Sequence, residues 1–222
     1  MTASVTRADG IVRQDELVSI DSGAHWDEAY EHGDTTRSWY QDEPATSLHM
    51  FDTARVSSTD SVIDVGGGAS TLVDALLNRG FHDLTVLDVA GRGVEIAQRR
   101  LGDRAAQVEW IVADLLAWRP SRLYSVWHDR AVFHFLIDEQ TRQQYIANLA
   151  LTTDRGAVAV IGCFALDGPQ SCSGLPVARY DATGLTQQLG STWALEHAEC
   201  SQHTTPGGTI QPFTWAQFRR QA

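Results

Sequence analysis

The sequence predicts an α/β fold: a seven-stranded mixed sheet, parallel except for a C-terminal antiparallel hairpin, with helices on both faces. From Ser61 onward, short apolar β-branched runs alternate with helical patterns, which is typical of β-α-β units and a buried parallel sheet. Near the C-terminus, two strand candidates flank a loop rich in Thr, Pro and Gly, which is typical of antiparallel neighbours. The length of 222 residues fits one such domain preceded by an arm.

The individual elements follow from the pattern in order. Five apolar runs are too short to favour helix and predict parallel strands at 61–65, 84–89, 108–113, 124–127 and 157–164. Helical patterns fill the gaps at 71–79, 91–101 and 138–150, and Asp138 is the expected N-cap of the last. A short helix is expected at 183–189, and the hairpin strands are expected at 193–200 and 209–218.

The first sixty residues differ from the rest, because they are rich in acidic and aromatic residues and poor in aliphatic runs. We therefore expect an N-terminal arm at 1–60 and the main domain at 61–222. Within the arm, short helices are expected at 24–32 and 45–55, with Pro44 at the start of the second.

Composition excludes several functional classes. The 17 basic residues are all Arg, and the absence of Lys excludes Schiff-base chemistry and a Walker phosphate loop. A net charge of −11 argues against nucleic acid as a partner.

There is no apolar run long enough to span a membrane and no basic-then-apolar N-terminus, so we expect a cytoplasmic protein without a membrane partner. The three cysteines are widely spaced, and neither they nor any motif predicts a metal site.

The strongest local signal is a glycine-rich turn between the first strand and the following helix. It reads Asp64-Val65-Gly66-Gly67-Gly68, and such turns let a ligand approach the backbone, although many are only tight turns. Asp88 ends the second strand 22 residues after Gly66, near the offset at which a carboxylate reaches a bound ribose. Asp114 ends the third strand, so chemistry-bearing residues follow three consecutive strands at the edge where such sheets bind ligands.

These motifs, with the hairpin ending, resemble the class I S-adenosylmethionine-dependent methyltransferases from about Trp26 to the C-terminus. The resemblance implies a Rossmann-like fold and S-adenosylmethionine as cofactor, since a dinucleotide-binding fold is not expected to end in this hairpin. Ser70 departs from the family pattern, because a third Gly is frequent there. By resemblance, Asp88 would hold the ribose, and Asp114 with Leu115 would flank the adenine. The full set of cofactor-binding residues that it implies is Trp39, Asp64, Gly66, Gly67, Gly68, Asp88, Asp114, Leu115 and Asp129.

The arm adds a finer resemblance. Trp26-x-x-x-Tyr30 followed by Trp39-Tyr40-Gln41 is similar to the aromatic N-terminal lid of thiopurine methyltransferase-like enzymes. Aromatic faces can pack against adenosine or attract a sulfonium. Trp39 is therefore expected at the cofactor, and Trp26, Tyr30 and Tyr40 at the substrate. The alternative is that these rings only hold the arm on the core.

A second cluster follows the fourth strand. His128 and His134 are the candidate general bases, because imidazole titrates near neutral pH, and Arg130 is a candidate substrate contact. The alternative is that Arg130 pairs with Asp129 or Asp138, and that a histidine merely fills a cavity.

The loop after the fifth strand supplies the remaining candidates. Cys172 is interpreted as pocket lining rather than as a nucleophile, since methyl transfer needs no enzyme nucleophile. Arg179 and Tyr180 are expected to bind an anionic or polar substrate group, unless they only form an exposed helix start.

The resulting expectation is methyl transfer to a small heteroatom nucleophile, with a thiol favoured. A protein lysine or other amine is the alternative, because the −11 charge would attract a basic protein. A non-catalytic cofactor-binding subunit is a third reading.

Overall fold

The computed structural model describes residues 22–221. Its order of elements is α1 (Ser22–Ala29), α2 (Ala45–Thr53), β1 (Val62–Val65), α3 (Leu72–Asn78), β2 (Leu84–Asp88), α4 (Gly91–Leu101), β3 (Val108–Val112), β4 (Tyr124–Arg130), α5 (Glu139–Thr152), β5 (Thr153–Phe164), β6 (Ser171–Cys172), β7 (Leu175–Pro176), α6 (Ala182–Leu189), β8 (Trp193–Thr204) and β9 (Ile210–Arg220).

Seven strands form one mixed sheet in the order β3-β2-β1-β4-β5-β9-β8. Strands β1 to β5 pair in parallel, whereas β9 runs antiparallel to both β5 and β8. The predicted fold class is therefore confirmed. The chain order reverses between β1 and β4, and ligands bind at such switch points outside the carboxyl ends of the strands.

The sheet is covered on both faces by apolar side chains. On one face, Phe51 of α2 and Leu72 of α3 pack in a cluster that includes Trp215 of β9. On the other face, Trp127 and Tyr145 belong to a second cluster. The central strands β1 and β2 are buried along their whole length, as expected for a parallel sheet between two helical layers.

The expected N-cap of α5 is confirmed, because the Asp138 carboxylate accepts the amide of Thr141 at 2.9 Å. Both arm helices are present over 22–221, and residues 1–21 of the predicted arm lie outside the described part. The two-stranded β6–β7 hairpin was not expected from the sequence. Among the described residues, no helix is both long enough and apolar enough to cross a membrane.

One strand differs from the prediction in a way that changes the site. β4 was expected to end at Trp127, but it continues to Arg130 and pairs with β5 as far as Gly162. Successive side chains of a strand point to opposite faces. His128 and Arg130 therefore share one face of the sheet, while Asp129 points to the other.

Candidate active site

A cavity of about 400 Å³ lies at the carboxyl ends of β1, β2 and β4. Its lining includes Gly66 and Gly67 after β1, Asp88 at the end of β2, and His128 and Arg130 at the end of β4. Residues of the arm cover it from above. The cavity thus lies at the switch point of the sheet, at the same edge where the sequence predicts a ligand-binding site.

The glycine-rich turn forms the floor of this cavity. Gly66 has φ +66°, and a Cβ at this position would collide with the side chain of Val132. A Cβ at Gly67 would lie 2.7 Å from Oδ2 of Asp64. Ser70, which stands where a third Gly is frequent, accepts the amide of Leu72, the first residue of α3, at 3.2 Å. The turn therefore keeps its close approach to the cavity without the third glycine.

Asp88 is a buried carboxylate at the end of β2. It accepts the backbone amide of Ala90 at 2.7 Å. Burial raises the pKa of Asp88 to about 7, with a further contribution from the charge of Asp64. A buried carboxylate that faces a cavity is a group that ligand hydroxyls can satisfy by donating hydrogen bonds.

The predicted adenine-side residues also line the cavity. Asp114 follows β3 and accepts the amide of Leu116 at 2.9 Å, while Leu115 is buried. Together with Asp88, they place a carboxylate and an apolar surface on the β2–β3 side, which suits a ribose and a purine.

Four aromatic side chains of the arm, Trp26, Tyr30, Trp39 and Tyr40, line the cavity and are called the aromatic lid below. Trp39 lies edge-on to both Trp26 and Tyr30, with ring centroids 5.8 Å apart in each pair. The Trp39 indole donates to the Tyr30 hydroxyl at 3.2 Å. Burial raises the pKa of Tyr30, so its phenol stays protonated at neutral pH.

Tyr30 also covers part of the glycine-rich turn. A Cβ at Gly68 would lie 2.8 Å from the Tyr30 hydroxyl, and Gly68 itself is absent from the cavity lining. The predicted cofactor contact at Gly68 thus lies beneath Tyr30 in this structure.

The lid is tied to the domain by polar contacts that the sequence reading did not find. His203 of β8 contacts the carbonyl of Ser38 at 2.6 Å, and Thr71 donates to the carbonyl of Gln41 at 3.0 Å. Arg130 donates to the carbonyl of Trp39 and to the Gln41 side chain. No local pattern links these residues, because their partners are distant in sequence.

His128 joins a buried chain of polar groups. Its Nδ1 lies 2.7 Å from Oδ1 of Asp64, and its Nε2 lies 3.0 Å from Oγ of Ser47. Ser47 sits on α2, is buried and does not line the cavity. His128 reaches the cavity wall, but both ring nitrogens are engaged with protein groups.

Arg130 places a guanidinium in the cavity wall. Its described hydrogen-bond partners, Trp39 and Gln41, are neutral, and no carboxylate in 22–221 forms an ion pair with it within 4.0 Å. The alternative that it pairs with Asp129 or Asp138 is therefore wrong. Burial lowers the pKa of Arg130, but an arginine stays charged in proteins.

Cys172 of β6 also lines the cavity. Burial raises the pKa of its thiol, although the nearby charge of Arg130 acts in the opposite direction. A thiol with a raised pKa is a poor nucleophile at neutral pH. This agrees with its interpretation as pocket lining.

Besides Gly68, four predicted site residues do not line the cavity: His134, Asp129, Arg179 and Tyr180. His134 is fully buried beside Phe164, neither of its ring nitrogens has a hydrogen-bond partner among residues 22–221, and burial lowers its pKa to about 3. It fills the core as a neutral ring, so the expectation of a general base is corrected.

Asp129 points to the opposite face, where it accepts the amides of Val132 and Phe133 and the hydroxyl of Tyr145. It shapes the turn after β4 rather than contacting a ligand.

The other two lie beyond β7. Arg179 donates to the carbonyls of Leu166 and Gly168, which holds the loop after β5. Tyr180 is buried against Phe133, with ring centroids 5.4 Å apart. Both residues therefore stabilise the fold outside the cavity. Their positions do not support the prediction that they bind an anionic or polar group of the substrate.

Comparison with known proteins agrees with this geometry. Residues 62–156 match the family model described as a methyltransferase domain. No curated protein matches the chain in sequence.

Among solved structures, the N-methyltransferase NodS from Bradyrhizobium japonicum WM9, in complex with S-adenosyl-L-homocysteine, is similar at 19% identity with a TM-score of 0.64, covering 88% of this chain and 96% of that chain. The 1,6-didemethyltoxoflavin-N1-methyltransferase of Burkholderia thailandensis is similar at 14% identity and TM-score 0.71, covering 97% and 94%. A protein whose structure concerns conversion of a disulfide bond into a thioacetal group during echinomycin biosynthesis is similar at 19% identity and TM-score 0.70, covering 90% and 93%.

The chain thus carries a methyltransferase domain on the Rossmann-like fold of S-adenosylmethionine-dependent methyltransferases. The predicted enzyme class agrees with the methyltransferase domain matched at residues 62–156, and S-adenosylmethionine as methyl donor agrees with the fold. The resemblance of the lid to thiopurine methyltransferase-like enzymes stays a prediction, as do the roles of the individual site residues.

Proposed function

We propose that this chain, which carries a methyltransferase domain, transfers a methyl group from S-adenosylmethionine to a small acceptor with a thiol or similarly soft nucleophile and an anionic group. One observation carries the proposal. A single lidded cavity brings the glycine-rich turn and Asp88 together with an arginine that has no carboxylate partner within 4.0 Å among residues 22–221.

The cofactor side of the cavity fits S-adenosylmethionine. Gly66 and Gly67 line the cavity, and a Cβ at either would collide with Val132 or Asp64, so the turn presents backbone to a ligand. Asp88 offers a buried acceptor for ribose hydroxyls, and Leu115 an apolar contact for adenine. When bound, S-adenosylmethionine supplies an electrophilic sulfonium methyl group.

The protein's own contribution is to bind, orient and exclude water. The aromatic lid presents π faces, which attract a positive sulfonium by about 0.5–2 kcal/mol. Asp64, fixed by His128 at 2.7 Å, adds a carboxylate next to the glycine-rich turn. Holding the two reactants in line can supply several kcal/mol of the rate acceleration.

The hydrogen bonding of His128 favours an acceptor that loses its proton in solution, without help from an enzyme base. His128 is the histidine of the cavity wall, and both its ring nitrogens already contact Asp64 and Ser47. An amine must lose a proton to become nucleophilic at neutral pH, whereas a thiol with a pKa near 8 is partly thiolate without help. This supports the thiol over the amine.

Arg130 supports an anionic group on the acceptor. The charge of Asp64 acts on Arg130 only from beyond 4.0 Å, and the hydrogen-bond partners of the guanidinium are neutral. A ligand carboxylate would supply a direct charged partner with charge-assisted hydrogen bonds. Cys172 also lines the cavity and is within reach of the Arg130 charge, and Arg130 donates to the backbone of Trp39 in the arm. Strand β1 separates β4, which carries Arg130, from β2, which carries Asp88. We therefore propose that the acceptor binds next to the end of β4.

An amine or a protein lysine is the second candidate. The net charge of −11 favours it, because an acidic surface attracts basic partners. The aromatic lid argues against a protein lysine, because a protein substrate has to insert its lysine side chain beneath Trp39. The similar structures include N-methyltransferases as well as an enzyme of sulfur chemistry, so they do not select between the two.

The test is a transfer assay with radiolabelled methyl donor. The purified chain is given 3-mercaptopropionate, 4-mercaptobenzoate and their uncharged amides, alongside primary amines and a cell lysate. We expect label in the methyl thioethers, with the carboxylates preferred over the amides. Label confined to amines or protein bands would reverse the proposal, and cofactor binding without any transfer would favour a non-catalytic subunit.

A further inference from the structure

Three side chains of metal-binding types meet on the outer surface, away from the cavity. They are His49 on α2 and His197 and Glu199 on β8, and none of them lines the cavity. Oε2 of Glu199 lies 3.3 Å from Nε2 of His49 and 3.3 Å from Nε2 of His197. All three ligand atoms lie within 4.8 Å of one another.

The two 3.3 Å separations are long for charge-assisted hydrogen bonds, which measure about 2.7–2.9 Å. They match a different geometry. In a tetrahedral zinc site with metal–ligand distances near 2.1 Å, neighbouring ligand atoms are about 3.4 Å apart. The distance from the carboxylate oxygen to each imidazole nitrogen thus already matches the spacing of neighbouring ligand atoms around a tetrahedral zinc ion.

The fold positions these side chains from two rigid elements. The strand pairing of β8 with β9 shifts register between Leu195 and His197, which is a β-bulge. His197 and Glu199 follow it two residues apart and so point to the same face. Met50 and Phe51 of α2 are buried, whereas His49 faces β8, where its ring centroid lies 6.3 Å from that of His197.

We propose that His49, His197 and Glu199 bind a zinc-type divalent transition metal ion. Two imidazoles and one carboxylate are a donor set that Zn²⁺ prefers, whereas Mg²⁺ and Ca²⁺ prefer oxygen ligands throughout. Three protein ligands leave a fourth position for water or for a ligand from outside. The ion would join α2 to the edge strand β8.

The site uses no residue of the proposed methyl transfer, so each can fail without the other. A bound ion would stabilise the folded chain by mass action, because the unfolded chain does not hold the three donors together. The competing explanation is a surface ion pair between Glu199 and protonated histidines, which needs no metal.

The test is calorimetric titration of the metal-free chain with ZnCl₂ at pH 7.5, with MgCl₂ as a second titrant. We expect binding of one Zn²⁺ and a rise in Tm, and neither with Mg²⁺. The variants His49→Asn, His197→Asn and Glu199→Gln should each weaken Zn²⁺ binding by about 10–100-fold or more. Their Tm without metal shows whether they remain folded.

Two variants serve as matched controls: His82→Asn at another exposed histidine, and Cys200→Ser next to Glu199. Both should keep the affinity of the unmodified chain. The proposal is overturned if the unmodified chain shows no Zn²⁺ binding, or if Glu199→Gln binds as tightly as the unmodified chain. It is equally overturned if Cys200→Ser alone abolishes binding.

Discussion

His128 and Asp64 are joined by a 2.7 Å contact between Nδ1 and Oδ1 on adjacent parallel strands. Ser47 engages the other nitrogen of the same ring at 3.0 Å. An imidazole held on both sides fixes the carboxylate beside the glycine-rich turn. We therefore interpret His128 as a positioning residue for Asp64 rather than as the base that deprotonates the acceptor.

This interpretation predicts a particular outcome for His128→Asn. The affinity for S-adenosyl-L-homocysteine should fall about tenfold, because Asp64 loses its orienting partner, whereas kcat at saturating donor should fall less than tenfold. Loss of a general base typically costs about 100- to 10,000-fold. The measurement is Kd by calorimetry together with kcat against pH.

Ser47→Ala is the matched control, since it frees Nε2 without touching Asp64. It should leave both Kd and kcat near their original values. A drop in kcat of more than 100-fold for His128→Asn, with loss of one limb of the pH profile, would restore the general-base role.

Arg130→Met should separate acceptor binding from donor binding. Removing the guanidinium should raise KM for an anionic acceptor about 10–100-fold, as expected for a lost charged hydrogen bond of about 1.5–3 kcal/mol. The uncharged amide of the same acceptor should be unaffected. Arg179→Met, at an arginine outside the cavity, is the control and should change neither.

The same variant also tests where the anion comes from. The Kd for S-adenosylmethionine should stay within about threefold of the original, because Thr71 and His203 still hold the arm through the carbonyls of Gln41 and Ser38. If that Kd rises while the acceptor KM does not, Arg130 holds the carboxylate of the methyl donor, and the acceptor need not be anionic.

Asp88→Asn should change how stability depends on pH. The folded-state pKa of Asp88 is raised to about 7, so its protonated form is favoured by folding. The stability that it contributes is full below pH 4 and is lost as the pH rises through 7. The amide cannot ionise, so the free energy of unfolding should drop less between pH 5 and 8, by about 1–3 kcal/mol.

Urea denaturation of the ligand-free chain at both pH values measures this difference. Other groups with raised pKa values, such as Asp129, titrate in both proteins and cancel in the comparison. An identical pH dependence in the two proteins would show that Asp88 does not titrate near neutral pH.

Cys172→Ala should retain most of the activity. The buried thiol has a raised pKa, and displacement at a methyl group needs no covalent enzyme intermediate. We expect kcat within about threefold and a modest change in acceptor KM from the altered lining. Loss of turnover, measured alongside unchanged donor Kd, would move the chemistry to the loop after β5.

Much of the fold could be predicted from the sequence because local signals set it. The strand starts at Leu84 and Val108, the whole of α4 and the Asp138 cap agree with the prediction. Each depends on an apolar run, a helical stripe or a capping side chain within a few residues. The C-terminal hairpin was likewise visible from its turn residues.

The site was only partly predictable, because tertiary pairing decides it. The apolar signal of β4 stops at Trp127, yet pairing with β5 extends the strand through His128, Asp129 and Arg130. That extension sends Asp129 away from the cavity. Ser47 and His203 could not be predicted as site partners, since their contacts with His128 and Ser38 join residues 81 and 165 positions apart.

Calorimetric titration with S-adenosyl-L-homocysteine tests the central claim most directly. The unmodified chain should bind the product, Asp88→Ala should bind it more weakly by about 1–3 kcal/mol, the cost of unmet hydrogen bonds to the ribose, and NADH should give no heat. Binding of NADH without binding of S-adenosyl-L-homocysteine, or an unchanged affinity in a folded Asp88→Ala variant, would contradict the assignment of this cavity.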